Sequence, residues 1–330
     1  MTEEDKRKLY PMRFIPQEEK TAWGAVRYLV ADLGRVDSAI ENGWFGGNAI
    51  SELMETYLER VVGDDAFEYY GLQFPVLVKE ISVQGRTPLW LNVDDDTAAQ
   101  RYDAFGKTAL WLVRKAGKGA KIHLGFNREQ AAEAFFRRCQ EGTVEPVLHT
   151  VEPKAGEAFL IRPGTVYAAE GTLELLEIAE CSEMAFPLHN WGLPMPEGEE
   201  LLLEEAFDLI DFREYVPVPD AVPSQPEGPA EVLAAAPEFA VSRIRLDDPL
   251  KVNNSRPGSF TLYHCLSGAV SVRVSDETGN PAQTCSLSAG QTLLVPAELE
   301  QFYLVPAVRG AVLLDVVAGR RTVRDAYLDD

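Results

Sequence analysis

The chain has 330 residues, 46% of them hydrophobic and 25% charged, which predicts a globular protein with room for one large or two ordinary domains. It carries 52 acidic and 31 basic residues, and the net charge of -21 argues against nucleic acid and membrane surfaces as partners. The N-terminus is charged and no run approaches the roughly 20 apolar residues of a membrane helix, so we expect a cytoplasmic protein.

Three segments show the apolar spacing of a helix. Residues 49–62 follow a Gly-Gly turn and predict an amphipathic helix that packs on something larger. Residues 127–140 predict a second helix, with Asn127 as its N-cap and Gly142 as its stop. A weaker pattern predicts a third helix over residues 199–210.

Most of the remaining chain alternates short β-rich runs with turn residues, a pattern typical of antiparallel barrels and sandwiches. The predicted strands are 76–83, 108–114, 120–124, 158–161, 172–178, 239–246, 258–265, 269–275, 283–287, 291–295 and 308–317. The four cysteines (Cys139, Cys181, Cys265 and Cys285) are widely separated and lack metal-binding spacing, so we expect buried free thiols.

A segment rich in Pro, Ala and Glu, residues 215–237, has little hydrophobic periodicity and predicts a linker or a surface connection. It divides the chain into a predicted N-terminal domain, 1–214, which includes the helical segments, and a predicted C-terminal domain, 238–330. Residues 152–171 and 285–305 share one order: strand, Gly turn, strand ending in Pro, further strand. A duplicated β-barrel explains this repetition most simply.

The repeated pattern A-G-x-x-x-x-[IV]-x-[PA] resembles the cupin fold. We therefore expect a mainly β protein with two cupin-type β-barrels, or jelly rolls, and small helical insertions. The first copy also resembles the type I mannose-6-phosphate isomerase family in order and spacing. The shared motifs are WGA at 23–25, FPVLVKEI at 74–81, DDD at 94–96, GKT at 106–108, RPGTVYA at 162–168 and GTLELLEI at 171–178.

The resemblance implies one divalent metal, usually zinc, held by a Gln, a His, a Glu and a second His. Alignment on the shared motifs places Trp90, Asn92, Ala109 and Tyr167 at these four positions. The catalytic Arg that the family carries falls near Pro187. Neutral Trp, Asn, Ala and Tyr side chains cannot balance a dication in a buried pocket, so we expect no metal and no other cofactor.

Polar candidates for ligand contact remain at Lys79, Lys107 and Glu177. The lysines match the family motifs and would suit an anionic or hydroxylated ligand. The alternative interpretation is that they form ion pairs with the many carboxylates of this acidic chain.

His189 and Trp191 follow the last motif, where the family carries a segment at the pocket rim. With other aromatic side chains they would line a cleft that stacks on sugar faces. These other aromatics are Trp90, Tyr102, Trp111 and Tyr167. The alternative is that the aromatics fill the space that the metal and its ligands occupy in the family.

Other candidate sites are weaker. His123, His149 and His264 are expected to be ordinary packed or surface histidines, since one histidine does not make a zinc site. Asp94–Asp96 lacks the spacing of a calcium loop and predicts a solvated acidic turn.

The sequence thus predicts a pseudoenzyme of the family that binds a sugar or sugar phosphate without isomerising it. One alternative is an active sugar-phosphate isomerase with a rearranged or metal-free site. Its polar groups would be Lys79, Lys107 and Glu177, and zinc would be its cofactor only if the rearranged site holds a metal. A further alternative is a structural partner of an active paralogue that pairs through the apolar helical face from Ile50 to Val61. The sequence is also compatible with a homo-oligomer.

Overall fold

The computed structural model describes residues 8–217, 230–254, 259–275 and 281–319, so residues 218–229 of the predicted connection lie outside the described residues. The strands are β1 (Met12–Arg13), β2 (Gln17–Thr21), β3 (Gly24–Val30), β4 (Val76–Arg86), β5 (Leu89–Asn92), β6 (Ala109–Ala116), β7 (Lys121–Phe126), β8 (Leu148–Val151), β9 (Ala158–Ile161), β10 (Val166–Glu180), β11 (Ala185–His189), β12 (Ala230–Ala235), β13 (Phe239–Leu246), β14 (Leu250–Asn253), β15 (Thr261–Ser267), β16 (Ala269–Ser275), β17 (Pro281–Ser288), β18 (Thr292–Val295), β19 (Gln301–Pro306) and β20 (Ala311–Ala318). The α-helices are α1 (Ile50–Tyr57), α2 (Glu59–Val62), α3 (Asp64–Tyr70), α4 (Asp95–Tyr102), α5 (Ala132–Glu141) and α6 (Leu203–Ala206).

The chain forms two compact units. Unit 1 combines Met1–Gln17, Leu29–Val76 and Pro219–Asp330, and unit 2 combines Glu18–Tyr28 and Leu77–Val218. The helical segment 49–62, which the sequence analysis assigned to the N-terminal domain, belongs to unit 1. Two backbone hydrogen bonds connect it to the C-terminal part of the chain: the amides of Ala297 and Glu298 donate to the carbonyls of Val61 and Arg60, at 2.9 and 3.0 Å.

Unit 2 contains a ten-stranded sheet in which β11, β5, β10, β4, β3 and β2 are neighbours in that order. Strand β10 also pairs with β6 and β7, which in turn pair with β9 and β8. Its first residues pair with β5 and β7, whereas those after Gly171 pair with β6. Gly171 has a φ of +94°, and a Cβ there would lie 2.9 Å from the Cα of Ala120, so only glycine fits where β10 changes partners.

Unit 1 contains a six-stranded sheet, ordered β1, β18, β15, β20, β13 and β12, and a four-stranded sheet, ordered β14, β19, β16 and β17. Alternate side chains of both sheets form one buried apolar core, because successive residues of a strand point to opposite faces. This core includes Ile244, Tyr263, Val272, Leu293 and Phe302. The mainly β fold with cupin-type barrels is therefore confirmed.

The predicted helix over 49–62 is two helices, α1 and α2, because Leu58 between them adopts a left-handed backbone with φ +51°. Its apolar face is buried within unit 1: Ile50, Leu53, Met54 and Val61 have no exposed surface and Tyr57 is 2% exposed. This face is therefore not available as the pairing surface that the sequence suggested.

The second predicted helix begins later than expected. Asn127 was wrongly predicted as its N-cap, since the Asn127 side chain donates instead to the carbonyl of Pro146 at 2.9 Å, and α5 begins after Ala131. Gly142, with φ +69°, ends the helix as predicted. The third predicted helix is only a short helix, α6, followed by a 3₁₀ turn at Phe207–Leu209.

The acidic run Asp94–Asp96 begins helix α4, which the sequence analysis missed. Asp94 is its N-cap and accepts from the amide of Thr97 at 2.8 Å. All four cysteines are free and buried, as predicted. None of the helices in the described part of the chain is long and apolar enough to span a membrane.

Candidate functional site

Three strands of unit 2 carry the four residues that alignment placed at metal-ligand positions. Trp90 and Asn92 lie two residues apart on β5, Ala109 begins β6, and Tyr167 lies on β10 directly opposite Trp90. The hydroxyl of Tyr167 donates to Oδ1 of Asn92 at 2.7 Å, and both side chains are buried. These two positions are therefore occupied by a direct hydrogen bond between side chains.

The carboxylate of Glu177, on β10, accepts a hydrogen bond near the Tyr167–Asn92 pair. It lies opposite Trp111 of β6, whose indole Nε1 donates to Oε2 of Glu177 at 2.7 Å. The Trp111 ring meets the Tyr167 ring edge to face, with centroids 5.3 Å apart. The carboxylate and the Tyr167–Asn92 pair are thus connected through one indole ring.

Two lysines complete the arrangement. Nζ of Lys79, from β4, lies 3.0 Å from Oε1 of Glu177, and Nζ of Lys107 lies 3.3 Å from the same oxygen. The Glu177 and Lys107 side chains are 3% and 6% exposed, whereas Lys79 retains 15%. We call these six residues the central cluster: Lys79, Asn92, Lys107, Trp111, Tyr167 and Glu177.

The turn before β6 sets the position of Lys107. A Cβ on Gly106 would lie 2.5 Å from backbone atoms of Asp94 and Asp95, so the close approach of these chains requires glycine. The Gly106 amide donates to Oδ1 of Asp95 at 2.7 Å, and the Lys107 amide donates to the carbonyl of Val93 at 2.8 Å. The backbone of the Gly-Lys-Thr motif therefore positions the Lys107 side chain beside the Glu177 carboxylate.

Burial and charge shift the pKa values in the central cluster. Burial by itself would raise the pKa of Glu177, but the ammonium groups of Lys107 and Lys79 and the Trp111 hydrogen bond together lower it to about 2. Burial lowers the pKa of Lys107 against the opposing effect of the Glu177 carboxylate. Burial and the negative charge of Glu177 raise the pKa of Tyr167 well above its usual range, so Tyr167 is a neutral phenol at pH 7.

The Asn92 amide is only half satisfied. Its Nδ2 is buried and has no hydrogen-bond partner in the described part of the chain, while its oxygen accepts from Tyr167. If the amide were turned by 180°, its oxygen would be the unpaired atom instead. A buried polar atom without a partner is costly, and it suits a water molecule or a ligand hydroxyl.

The predicted aromatic cleft is divided into separate groups. Trp111 contacts Tyr167 in the central cluster, whereas Trp191 contacts His189, with ring centroids 5.2 Å apart. Tyr102 packs on Phe186, with centroids 5.5 Å apart, and donates to a carboxylate of Glu205. Tyr102 lies on α4 and Trp191 follows the end of β11, so strand spacing does not give the direction of either ring.

His189 and Trp191 belong to a second group that we call the Trp191 cluster: Arg86, His123, Glu170, His189 and Trp191. The guanidinium carbon of Arg86 lies 3.3 Å from the centroid of the Trp191 ring. Arg86 was missed by the sequence analysis, because one arginine at the end of a strand carries no motif signal.

Strand β11, which carries the position aligned with the family's catalytic Arg, contains no arginine. Pro187 of β11 lies opposite Trp90 of β5. Among the described residues, none of the four histidines lies in a group of three His, Cys, Asp or Glu side chains close enough to share one cation.

The sequence is similar to mannose-6-phosphate isomerases. No family model matches the sequence. The chain is 22% identical over 267 residues to the mannose-6-phosphate isomerase of Streptococcus mutans, covering 80% of each chain. It is 26% identical over 177 residues to a probable mannose-6-phosphate isomerase of Bacillus subtilis, covering 52% of this chain and 54% of the relative.

Solved structures show the same fold. The mannose 6-phosphate isomerase of Bacillus subtilis matches with a TM-score of 0.80 and 17% identity, over 93% of this chain and 99% of that one. A zinc-bound mannose 6-phosphate isomerase matches with a TM-score of 0.71 and 12% identity, over 94% and 99%. The fold and the strand-borne site therefore define a cupin-fold protein. The sequence relatives are mannose-6-phosphate isomerases, and the chain is similar to that family in sequence and in fold.

Proposed function

We propose that this chain is a mannose-6-phosphate isomerase-like protein that holds no catalytic metal and binds a sugar or sugar phosphate without isomerising it. The observation that carries the proposal is the 2.7 Å hydrogen bond between Tyr167 and Asn92 at two of the four aligned ligand positions. Of the other two positions, Ala109 has no donor atom and the Trp90 side chain offers only an N–H.

Donor chemistry supports the absence of a metal. Zinc sites use mainly thiolate, imidazole or carboxylate ligands, and none of these groups is present at the four positions. Asn92 offers only a weak amide oxygen, which accepts from the hydroxyl of Tyr167. Tyr167 could ligate only as a phenolate, and its raised pKa keeps it protonated at neutral pH. The residues at these positions do not fit a divalent cation, and we assign no reaction step to one.

The charge of the central cluster favours an anionic ligand. Two lysines surround one carboxylate, so protonation of both lysines leaves one positive charge in a chain whose net charge is -21. Lys79 is the more accessible lysine. A phosphate group would balance this charge, and a sugar hydroxyl would satisfy the unpaired amide atom of Asn92. The relatives are named for a sugar phosphate, which supports the same ligand class.

The alternatives have less support. A metal-free isomerase needs a base whose pKa lies near neutrality, whereas the pKa of Glu177 is about 2. Glu177 is therefore ionised but a weak base. A partner of an active paralogue would need a pairing surface other than the buried face of α1 and α2.

The ligand part of the proposal is tested by replacing Lys79 with methionine. Glu177 keeps its ion pair with Lys107 in this variant, so the fold should persist. By isothermal titration calorimetry we expect the wild type to bind mannose 6-phosphate or fructose 6-phosphate, and Lys79→Met to bind at least about ten-fold more weakly, a loss of about 1.4 kcal/mol.

Lys115→Met is the matched control, because Lys115 forms an exposed ion pair with Glu174 on the neighbouring strands and should not affect binding. If the wild type binds neither sugar phosphate, mannose nor inorganic phosphate, the ligand proposal is wrong. Equal affinity in the wild type and Lys79→Met would place the ligand elsewhere.

A further inference from the structure

The connection between β11 and α6, residues 190–202, is attached at its two ends: at the start through Asn190 and Trp191, and at the end through Leu202, whose amide donates to the carbonyl of Pro187 at 2.8 Å. Asn190 is buried, Trp191 is half-buried, and most of the following residues are exposed, with Leu193 at 61%. The Trp191 indole Nε1 donates to the carbonyl of Thr87 at 2.7 Å. Release of Trp191 would therefore free the mostly exposed residues between it and Leu202.

The backbone at Trp191 is strained. Its φ of +55° lies in the left-handed region, which is unfavourable for a residue with a Cβ. The stack of Arg86 on the ring and the hydrogen bond to Thr87 oppose this cost. The attachment thus depends on where Arg86 is held.

Arg86 is held by a neutral histidine and by two carboxylates. Its Nη2 lies 3.3 Å from Nε2 of His123, and because a guanidinium only donates, Nε2 must accept. The proton of neutral His123 is then on Nδ1, which lies 2.8 Å from Oγ1 of Thr150. Arg86 also forms ion pairs with Glu145 and Glu170, each at 3.1 Å.

His189 also contacts Trp191, with ring centroids 5.2 Å apart. It is 5% exposed, its ring is nearly perpendicular to the indole, and its Nε2 is buried without a partner in the described part of the chain. The ring also hydrogen-bonds to the backbone of Cys139 on α5. A second proton on His189 would be placed in a buried space with no acceptor for it.

We propose that His123 and His189 form a pH-sensitive clamp that holds segment 190–202 through Trp191 when both are neutral and releases it when they are protonated. At neutral pH the charged groups around them balance: Arg86 and Lys121 face Glu145 and Glu170. Protonation of both histidines gives four cations against two carboxylates. His123, 3.5 Å from Glu170, then competes with Arg86 for that carboxylate, and repulsion displaces Arg86 from the indole.

The direction of the pH effect follows from the environment of the two imidazoles. Burial and then the charge of Arg86 lower the pKa of both His123 and His189 below 6.5. Because the folded pKa is lower than the unfolded one, the clamp is closed above about pH 6.5, and its stabilisation is lost as the pH falls through the folded values.

Hydrogen–deuterium exchange on the wild-type protein tests the clamp. After correction for intrinsic exchange rates, we expect the hydrogen-bonded amides of 190–202, those of Leu193, Glu199 and Leu202, to exchange at least about five-fold faster at pH 5.5 than at pH 7.5. Strand β6 should show no such change. No difference in 190–202, or an equal increase throughout unit 2, would overturn the proposal.

Variants identify the titrating groups. A double variant, His123→Gln with His189→Gln, keeps polar side chains that do not titrate, and should lose the pH-dependent exchange of 190–202. His149→Gln is the matched control, since His149 contacts Tyr215 rather than Trp191, and should behave as the wild type does. Persistence of the change in the double variant would overturn the assignment. If that variant does not fold, by circular dichroism, the wild-type comparison still decides.

Discussion

Replacement of Glu177 by glutamine is expected to lower the free energy of unfolding by about 3 to 5 kcal/mol. The change removes the carboxylate whose Oε1 contacts both Nζ of Lys79 and Nζ of Lys107. Lys107 is almost fully buried and would be left without a countercharge. Urea unfolding of the wild type and the variant at pH 7 measures the difference.

Glu174→Gln is the control for this prediction. Glu174 lies on the same strand and pairs with Lys115, but both side chains are more than half exposed, so we expect a loss below about 1 kcal/mol. The account of the central cluster is wrong if the two variants lose equal stability.

The effect of Glu177 also has a pH signature. Its folded pKa of about 2 lies below the ordinary value of 4.5, so its stabilisation is present above about pH 4.5 and is lost as the pH falls toward 2. The stability difference between the wild type and Glu177→Gln should therefore shrink over this range.

A quadruple variant that restores the family's ligand types is expected to take up about one zinc ion per chain, whereas the wild type takes up none. The changes are Trp90→Gln, Asn92→His, Ala109→Glu and Tyr167→His. They supply four lone-pair donors and one negative charge, and they remove the Tyr167–Asn92 hydrogen bond. Zinc should also raise the Tm of the variant alone, because a ligand that binds the folded state stabilises it.

The matched control retains Ala109 and carries the other three changes. It lacks the carboxylate and should bind zinc more weakly. A double variant, Asn92→His with Tyr167→His, offers a second test if the quadruple variant does not fold. Equal zinc uptake by the wild type would show that its present residues hold the metal.

Much of the fold was predictable because strand runs and the repeated Gly-turn pattern are local signals. The helix break at Leu58 was not predictable, since nothing in a leucine side chain requires the left-handed backbone that the structure gives it. The late start of α5 was not predictable either, because it depends on a contact with a distant part of the chain. Asn127 suits a cap in sequence, but its side chain is used by the neighbouring backbone of Pro146.

The candidate site was predictable in its members but not in its connections. The motifs identified Lys79, Lys107 and Glu177, yet only the strand register shows that the two lysines share one carboxylate. The ion pairs that one interpretation predicted are therefore formed by the same two lysines that the other interpretation assigned to ligand contact. The aromatic rings that the sequence assigned to one cleft contact different neighbours, because Tyr102 lies on α4 and Trp191 follows the end of β11, and strand periodicity gives the direction of neither ring.

The most direct test of the central proposal is elemental analysis of untagged protein, with mannose 6-phosphate conversion measured on the same sample with and without added zinc. We expect no bound metal and no turnover in either condition. Stoichiometric metal together with isomerase turnover would contradict the proposal and would show that the family's activity persists in this chain.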